Sequence, residues 1–249
     1  MIKNILNKIY FHPSLLFIIL LGFLSGTFKE IFIFLSIIII HELGHLSSAM
    51  ILKWKVDKIY LYPYGGNTKF NNNLNTLLFE ELIILISGPI FQIIYGLLFN
   101  IIIKDLKYLY LFNSYHMGIL LFNLLPIYPL DGGKLVRIFL EYFYNIKNSF
   151  IYTIIISMLI IIILLTKYNS ISIYLMICLI IVKIFDELKK YKYYYNNMLL
   201  ERYLNKNKYN KYKIVSKIDS FYKNRYHIFK INSKYITETT YLKNKYEHK

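Results

Sequence analysis

Cysteine is almost missing from this chain, with one in 249 residues. That one, Cys178, lies inside an apolar run, so neither a disulfide framework nor a cysteine metal cluster can be built. Any bound metal must therefore use histidine and carboxylate. Carboxylates are scarce as well: 14 Asp and Glu stand against 30 Lys and Arg, a formal charge of +16. The basic excess gathers in the tail and in short loops between apolar runs, where the positive-inside rule accounts for it better than nucleic-acid binding does. No nucleic-acid partner is expected. A small-residue cleavage site after the first apolar stretch is also lacking, so Leu15 to Gly26 reads as a retained segment rather than a signal peptide.

What the chain has in excess is apolar length. Hydrophobic residues make up 56% of it and the mean hydropathy is +0.41, above what a soluble domain of this size needs. The richness in Ile, Lys, Asn, Tyr and Phe is what AT-rich codons supply, which points to a bacterium. A membrane helix needs about 20 mostly apolar residues. Six segments qualify or come close: Ser14 to Phe28, Glu30 to Leu52, Leu82 to Ile103, Tyr108 to Leu125, Phe150 to Thr166 and Ile171 to Phe185. The lysines and arginines of alternate loops set the orientation, with Lys3, Lys8, Lys53, Lys55, Lys58, Lys69, Lys134, Arg137 and Lys147 inside and Lys29, Lys104, Lys107 and Lys167 outside.

The expected fold class is thus an all-α membrane protein with six transmembrane helices, multi-pass in a bacterial cytoplasmic membrane, both termini cytoplasmic. Residues 1–188 form the membrane domain and 189–249 a basic cytoplasmic tail. Between the second and third segments, "KIYLYPYGGNTKFNNN" sets aromatic and β-branched residues around Gly65-Gly66, the pattern of a short membrane-associated β-hairpin. In the tail, "FYKNRYHIFKINSKYI" alternates like one or two strands, so a small α/β appendage stands beside a disordered basic tail as alternatives. The tail lysines suit anionic lipid headgroups.

The chemistry concentrates in "IIIIHELGHLSSAM", residues 37–50. His41 and His45 are four residues apart, so on a helix both imidazoles leave one face and can share an ion. Glu42 then lies beside that ion as a base, the arrangement of zinc metalloproteases. Facing lipid, such side chains would each cost on the order of a few kcal/mol. A catalytic zinc takes three protein ligands, so two histidines leave one to find. Few carboxylates occur in apolar surroundings. "LLFNLLPIYPLDGGKLVRIF" supplies Asp131, after Pro126 and Pro129 have broken the helix and before Gly132-Gly133. The plain alternative is that Asp131 merely caps the next helix. His12 and His116 read as packed or interfacial histidines, and Gln92 and Asn100 as amides bonding across helices.

H-E-L-G-H together with N-x-x-P-x-x-P-L-D-G-G, on separate apolar segments, resembles the site-2 protease family of intramembrane zinc metalloproteases. "FHP" at Phe11 to Pro13, "LYPYGG" at Leu61 to Gly66 and "EELIILISGP" at Glu80 to Pro89 agree with it. The order of these blocks, over about residues 8 to 190, is most similar to the sporulation branch, whose members process a sigma-factor precursor. The resemblance implies one Zn2+ held by His41, His45 and Asp131, with Glu42 as catalytic base. It implies substrate binding by Asn123 and Pro126 on the broken segment and by the hairpin at Tyr64, Gly65 and Gly66. It further implies a membrane-associated protein substrate and membrane inhibitor or regulatory proteins as partners. Sporulation members end in a nucleotide-sensing CBS domain, whereas here only 189–249 follow, so the tail reads as a reduced CBS-like remnant.

The expected activity is hydrolysis of a peptide bond near the cytoplasmic face, in a strand that the hairpin edge holds by β-addition. Two other classes compete with it. A catalytically silent scaffold of the same fold has no need for Glu42 beside the ligands. An ion transporter would use a broken helix and an acidic residue, but this chain has no internal repeat.

Overall fold

The computed structural model describes residues 9–11, 13–54, 56–62, 65–70, 74–205, 209, 211–216, 220–231 and 234–247. All six apolar segments are helical: α1 (Pro13–Leu24), α2 (Phe28–Ile51), α3 (Leu78–Ile102), α4 (Leu106–Leu124), α6 (Ile146–Lys167) and α7 (Ile171–Asn205), with α5 (Asp131–Phe143) between α4 and α6. At about 1.5 Å per residue, α2, α3 and α6 each exceed the roughly 30 Å of a hydrocarbon core. These three are long and apolar enough to cross a membrane. The other segments fall short for visible reasons. α1 has 12 residues, α4 carries Asn113, Ser114 and His116 among its tyrosines, and the apolar half of α7 meets Lys183, Asp186 and Glu187.

The chain divides into two compact units, 1–72 with 82–123, and 73–81 with 124–249. In the first, β1 (Ile9–Phe11), β2 (Val56–Tyr62) and β3 (Gly65–Phe70) form a sheet in that order. The hairpin expected around the glycine pair is there: β2 and β3 run antiparallel, with Tyr62 opposite Gly65 and Leu61 opposite Gly66. The parallel strand β1, pairing Ile9 with Ile59, has no counterpart in the local sequence pattern. α2 lies against β3. Its apolar face is buried through Ile33 and Ile37, which pack with Phe112 of α4 and with Tyr95 and Phe99 of α3. The Phe99 and Phe112 rings stack at 3.8 Å between centroids. Asn100 and Asn113 exchange amide hydrogen bonds of 3.1 and 3.0 Å. Each amide thus satisfies the other across two apolar helices.

In the second unit α6 starts at an Asn145 N-cap, whose side chain accepts from the Asn148 N–H at 2.7 Å. A stripe of small residues, Ser149, Thr153 and Ser157, is fully buried along α6, each hydroxyl bonded to the carbonyl four residues back. Of the two alternatives for the tail, the folded one holds. α7 continues through residues 189–205, and β4 (Tyr212–Val215), β5 (Tyr226–Ile231), β6 (Lys234–Thr237) and α8 (Glu238–Glu247) follow. β5 pairs parallel to β4 and antiparallel to β6.

Met198, Leu199, Val215, Phe221, Phe229 and Leu242 form the core of this appendage together with Ile146 of α6. Its polar centre is equally complete. Arg202, 1% exposed, bonds Asn75, Glu238 and the Tyr222 carbonyl. His227 accepts from the Tyr222 N–H through Nε2, so its Nδ1 carries the proton that Glu238 accepts at 2.7 Å. Burial holds this imidazole below its ordinary pKa, and the neutral ring is the form these bonds require.

Candidate metal centre

His41 and His45 stand one turn apart on α2, and their Nε2 atoms are 3.1 Å apart. What fixes the rings is the other nitrogen of each. His45 Nδ1 lies 2.7 Å from the carbonyl oxygen of Ile84, which can only accept, so that nitrogen carries the proton. His41 Nδ1 lies 2.9 Å from Gln92 Oε1. The Gln92 amide nitrogen donates to the His116 carbonyl at 2.9 Å, which orients the amide and leaves its oxygen for His41. Both Nδ1 atoms therefore donate, and both Nε2 atoms present lone pairs to the same point. Two lone pairs at that spacing repel each other; a cation between them turns the repulsion into ligation.

The local sequence explains how α3 reaches α2 so closely. A Cβ on Gly44 would stand 2.5 Å from the Ser87 carbonyl oxygen, and one on Gly88 would stand 2.3 Å from His45 Nε2. Both glycines are needed for the backbones to meet. Pro89, inside α3, withdraws the N–H that the Leu85 carbonyl would otherwise accept. The Ile84 carbonyl, one residue earlier, accepts from His45 Nδ1 of α2 and from Ser87 Oγ of its own helix. A second tie joins Ser48 and Ser87 through their hydroxyls at 2.7 Å. We expect Gly88→Ala to push the His45 ring aside and lower zinc affinity by roughly 10- to 100-fold, as loss of an orienting neighbour typically does. Competition against a chromophoric chelator checks it; unchanged affinity would mean that Gly88 is spacing rather than a cradle.

Glu42 follows His41 directly and is half-buried on α2. Asp131, in the second unit, is 7% exposed and is the first residue of α5. The N-cap is Leu130, without a side-chain cap bond, so Asp131 is not the helix cap that the sequence left open. Lys134 Nζ donates to its Oδ1 at 3.2 Å.

Its backbone is held from several sides. A Cβ on Gly132 would meet the Leu124 carbonyl oxygen at 2.2 Å, and one on Gly133 the Tyr128 nitrogen at 2.3 Å. The Tyr128 N–H donates to Ser157 Oγ at 2.8 Å, and its hydroxyl to Glu187 at 3.3 Å. The helix is broken over 125–130, as Pro126 and Pro129 require. Asn123 is half-buried in the last turn of α4, and Pro126 is half-buried in the broken segment. Gly65 and Gly66 open β3. Tyr64 and His12 lie outside the described residues.

His41 and His45 of the first unit each offer an imidazole nitrogen, and Asp131 of the second offers a carboxylate oxygen. Two imidazole nitrogens and one carboxylate oxygen are a donor set that catalytic zinc accepts, with a position left over. Gln92 and the Ile84 carbonyl are the functional groups that sequence reasoning passed over. Gln92 does bond across helices, and what it bonds is His41. The signal was a fully buried amide in the helix that also carries S-G-P.

Comparison with known proteins decides the family. Stage IV sporulation protein FB of Bacillus subtilis is 31% identical over 217 residues, covering 82% of this chain and 74% of that protein. The chain belongs to peptidase family M50. The model of that family matches residues 29–112, which hold both histidines and Glu42. A zinc metalloprotease of Methanocaldococcus jannaschii is 32% identical over 126 residues, 48% of this chain and 36% of that one. The solved site-2 protease of the same organism superposes with a TM-score of 0.53 at 26% identity, over 69% of this chain and 86% of its own. This M50 chain is accordingly a membrane protein of the site-2 protease family, the intramembrane zinc metalloproteases. Protein is its substrate class, and zinc is the metal the family implies.

Proposed function

We propose that the chain hydrolyses a peptide bond of a membrane-associated protein near the cytoplasmic face, with Glu42 as catalytic base and His41, His45 and Asp131 as the ligands of one Zn2+. The observation that carries this reading is the paired Nε2 atoms, 3.1 Å apart, whose tautomers Gln92 and Ile84 preset. Bound zinc would supply Lewis acidity, acidifying water and polarising a carbonyl. Glu42 takes the proton of the attacking water and gives it to the departing amine nitrogen. A scaffold without catalysis would gain nothing from a base next to His41.

The finer points rest on the same reading. Asn123, Pro126 and the hairpin at Tyr64, Gly65 and Gly66 align an unwound strand of substrate, and the antiparallel β2–β3 ladder supports strand addition as the mode. The six helical segments span the membrane with both termini cytoplasmic, as the lysine and arginine distribution requires. The substrate is a sporulation sigma-factor precursor, by the resemblance to the sporulation branch, and membrane inhibitors or regulators are partners on the same ground. The appendage is a reduced CBS-like remnant, and its basic surface meets anionic lipid.

The test is cleavage of a tethered substrate by purified protein in vesicles, with zinc stoichiometry on the same sample. Topology reporters after Lys58, Lys134 and Lys190 should read cytoplasmic, and reporters after Lys104 and Lys167 external. If Lys58 and Lys134 report opposite sides, the two motifs stand about 30 Å apart across the hydrocarbon core and no ion joins them.

A further inference from the structure

The second unit contains a cluster of four charges, two buried and two partly buried, that zinc proteolysis as described above does not use. Glu81, Arg137, Glu141 and Lys223 meet there from four places in the sequence. Arg137 lies 3.8 Å from Glu81 and 3.4 Å from Glu141. Lys223 forms a close ion pair with Glu81 and lies 3.7 Å from Glu141. The side chains of Lys223 and Glu141 are 8% and 4% exposed. Two carboxylates face two cations, so the cluster is neutral only when every member is in place. Glu141 Oε2 and Arg137 Nε are buried without a hydrogen-bond partner, so at these two atoms the neighbouring opposite charge is what offsets burial.

Lys223 comes from the appendage, on a turn where Asn224 takes a left-handed backbone conformation, φ 57°. Arg137 and Glu141 lie on α5, which begins with Asp131. The contacts then run on toward that residue. The Arg137 guanidinium lies 5.9 Å from the centre of the Tyr128 ring. Tyr128 sits in the broken segment against which Gly132 and Gly133 pack. One path of touching groups thus leads from Lys223 through Glu141 and Arg137 to Tyr128 and the loop that presents Asp131.

We propose that Lys223 is a positioning residue for the metal centre: it neutralises the Glu81–Glu141 pair, and so holds α5 in the setting that presents Asp131 as a ligand. Without Lys223 the cluster keeps two carboxylates against one guanidinium. A buried unpaired carboxylate cannot stay in place; it draws water or moves its helix. Because Glu141 and Asp131 share α5, the displacement reaches the ligand. The inference rests on the reading of Asp131 as a zinc ligand.

The test measures zinc retention under chelator challenge, and cleavage, in the full-length zinc-loaded protein. Lys223→Met should speed zinc loss by roughly tenfold or more, the typical effect of removing an outer support of a metal site. Lys223→Arg should restore the wild-type rate. Lys223→Met combined with Glu141→Gln should recover most of it too, since the cluster is neutral again.

A Lys223→Met protein that holds zinc like the wild type overturns the proposal. So does a double variant no better than the single one, because Lys223 would then support folding by packing rather than by charge. Asp131→Ala serves as the control for the underlying reading. If it retains zinc at wild-type affinity, the ligand assignment falls; if it loses zinc while Lys223→Met does not, only the positioning role falls.

Discussion

Glu42→Gln should abolish cleavage while zinc stays bound. The substitution keeps the shape of the side chain and removes its basicity. His41 and His45 keep their protons on Nδ1 because Gln92 and the Ile84 carbonyl, on α3, hold them there. General base catalysis is worth about 10²- to 10⁴-fold, so the rate should fall by at least about 100-fold. Cleavage of a tethered substrate gives the rate, and metal analysis on the same sample tells loss of the base from loss of the ligands. Activity within about tenfold of the parent would remove Glu42 from the chemistry.

The parts of this site that could be read in the sequence are those with a fixed local spacing. His41 and His45 are one helical turn apart in any helix, and Glu42 follows from its place between them. The hairpin was legible because its strands flank the glycine pair directly. Asp131 stood out by scarcity, since few carboxylates follow apolar runs. The rest depends on contacts without local signature. A backbone carbonyl such as that of Ile84 has no residue type to betray it. The parallel pairing of β1 with β2 joins residues about fifty positions apart, and such pairings follow from packing rather than from pattern. Lys223 reads as one more lysine of a basic tail. Its burial against Glu81 becomes visible only once the appendage has folded.

Asp131→Ala should remove zinc as well as activity, and the size of the effect decides between two roles for this carboxylate. As the first residue of α5, Asp131 also lies where a negative charge favours a helix N-terminus. That contribution is worth only about 0.3 to 1 kcal/mol and is made with or without metal. A residue with that role alone would, on replacement by alanine, cost a small loss of thermal stability and leave zinc affinity intact. A ligand behaves differently, because two imidazoles without a third donor hold zinc far less tightly. We expect affinity to fall by well over tenfold in Asp131→Ala and by less in Asp131→Asn, whose amide oxygen still coordinates weakly. The graded order, parent above Asn above Ala, is the signature of coordination, because a helix-end charge effect treats Asn and Ala alike. Isothermal competition with a chelator of known affinity measures it. Full zinc binding in both variants would return Asp131 to a helix-end role and require another carboxylate to complete the site.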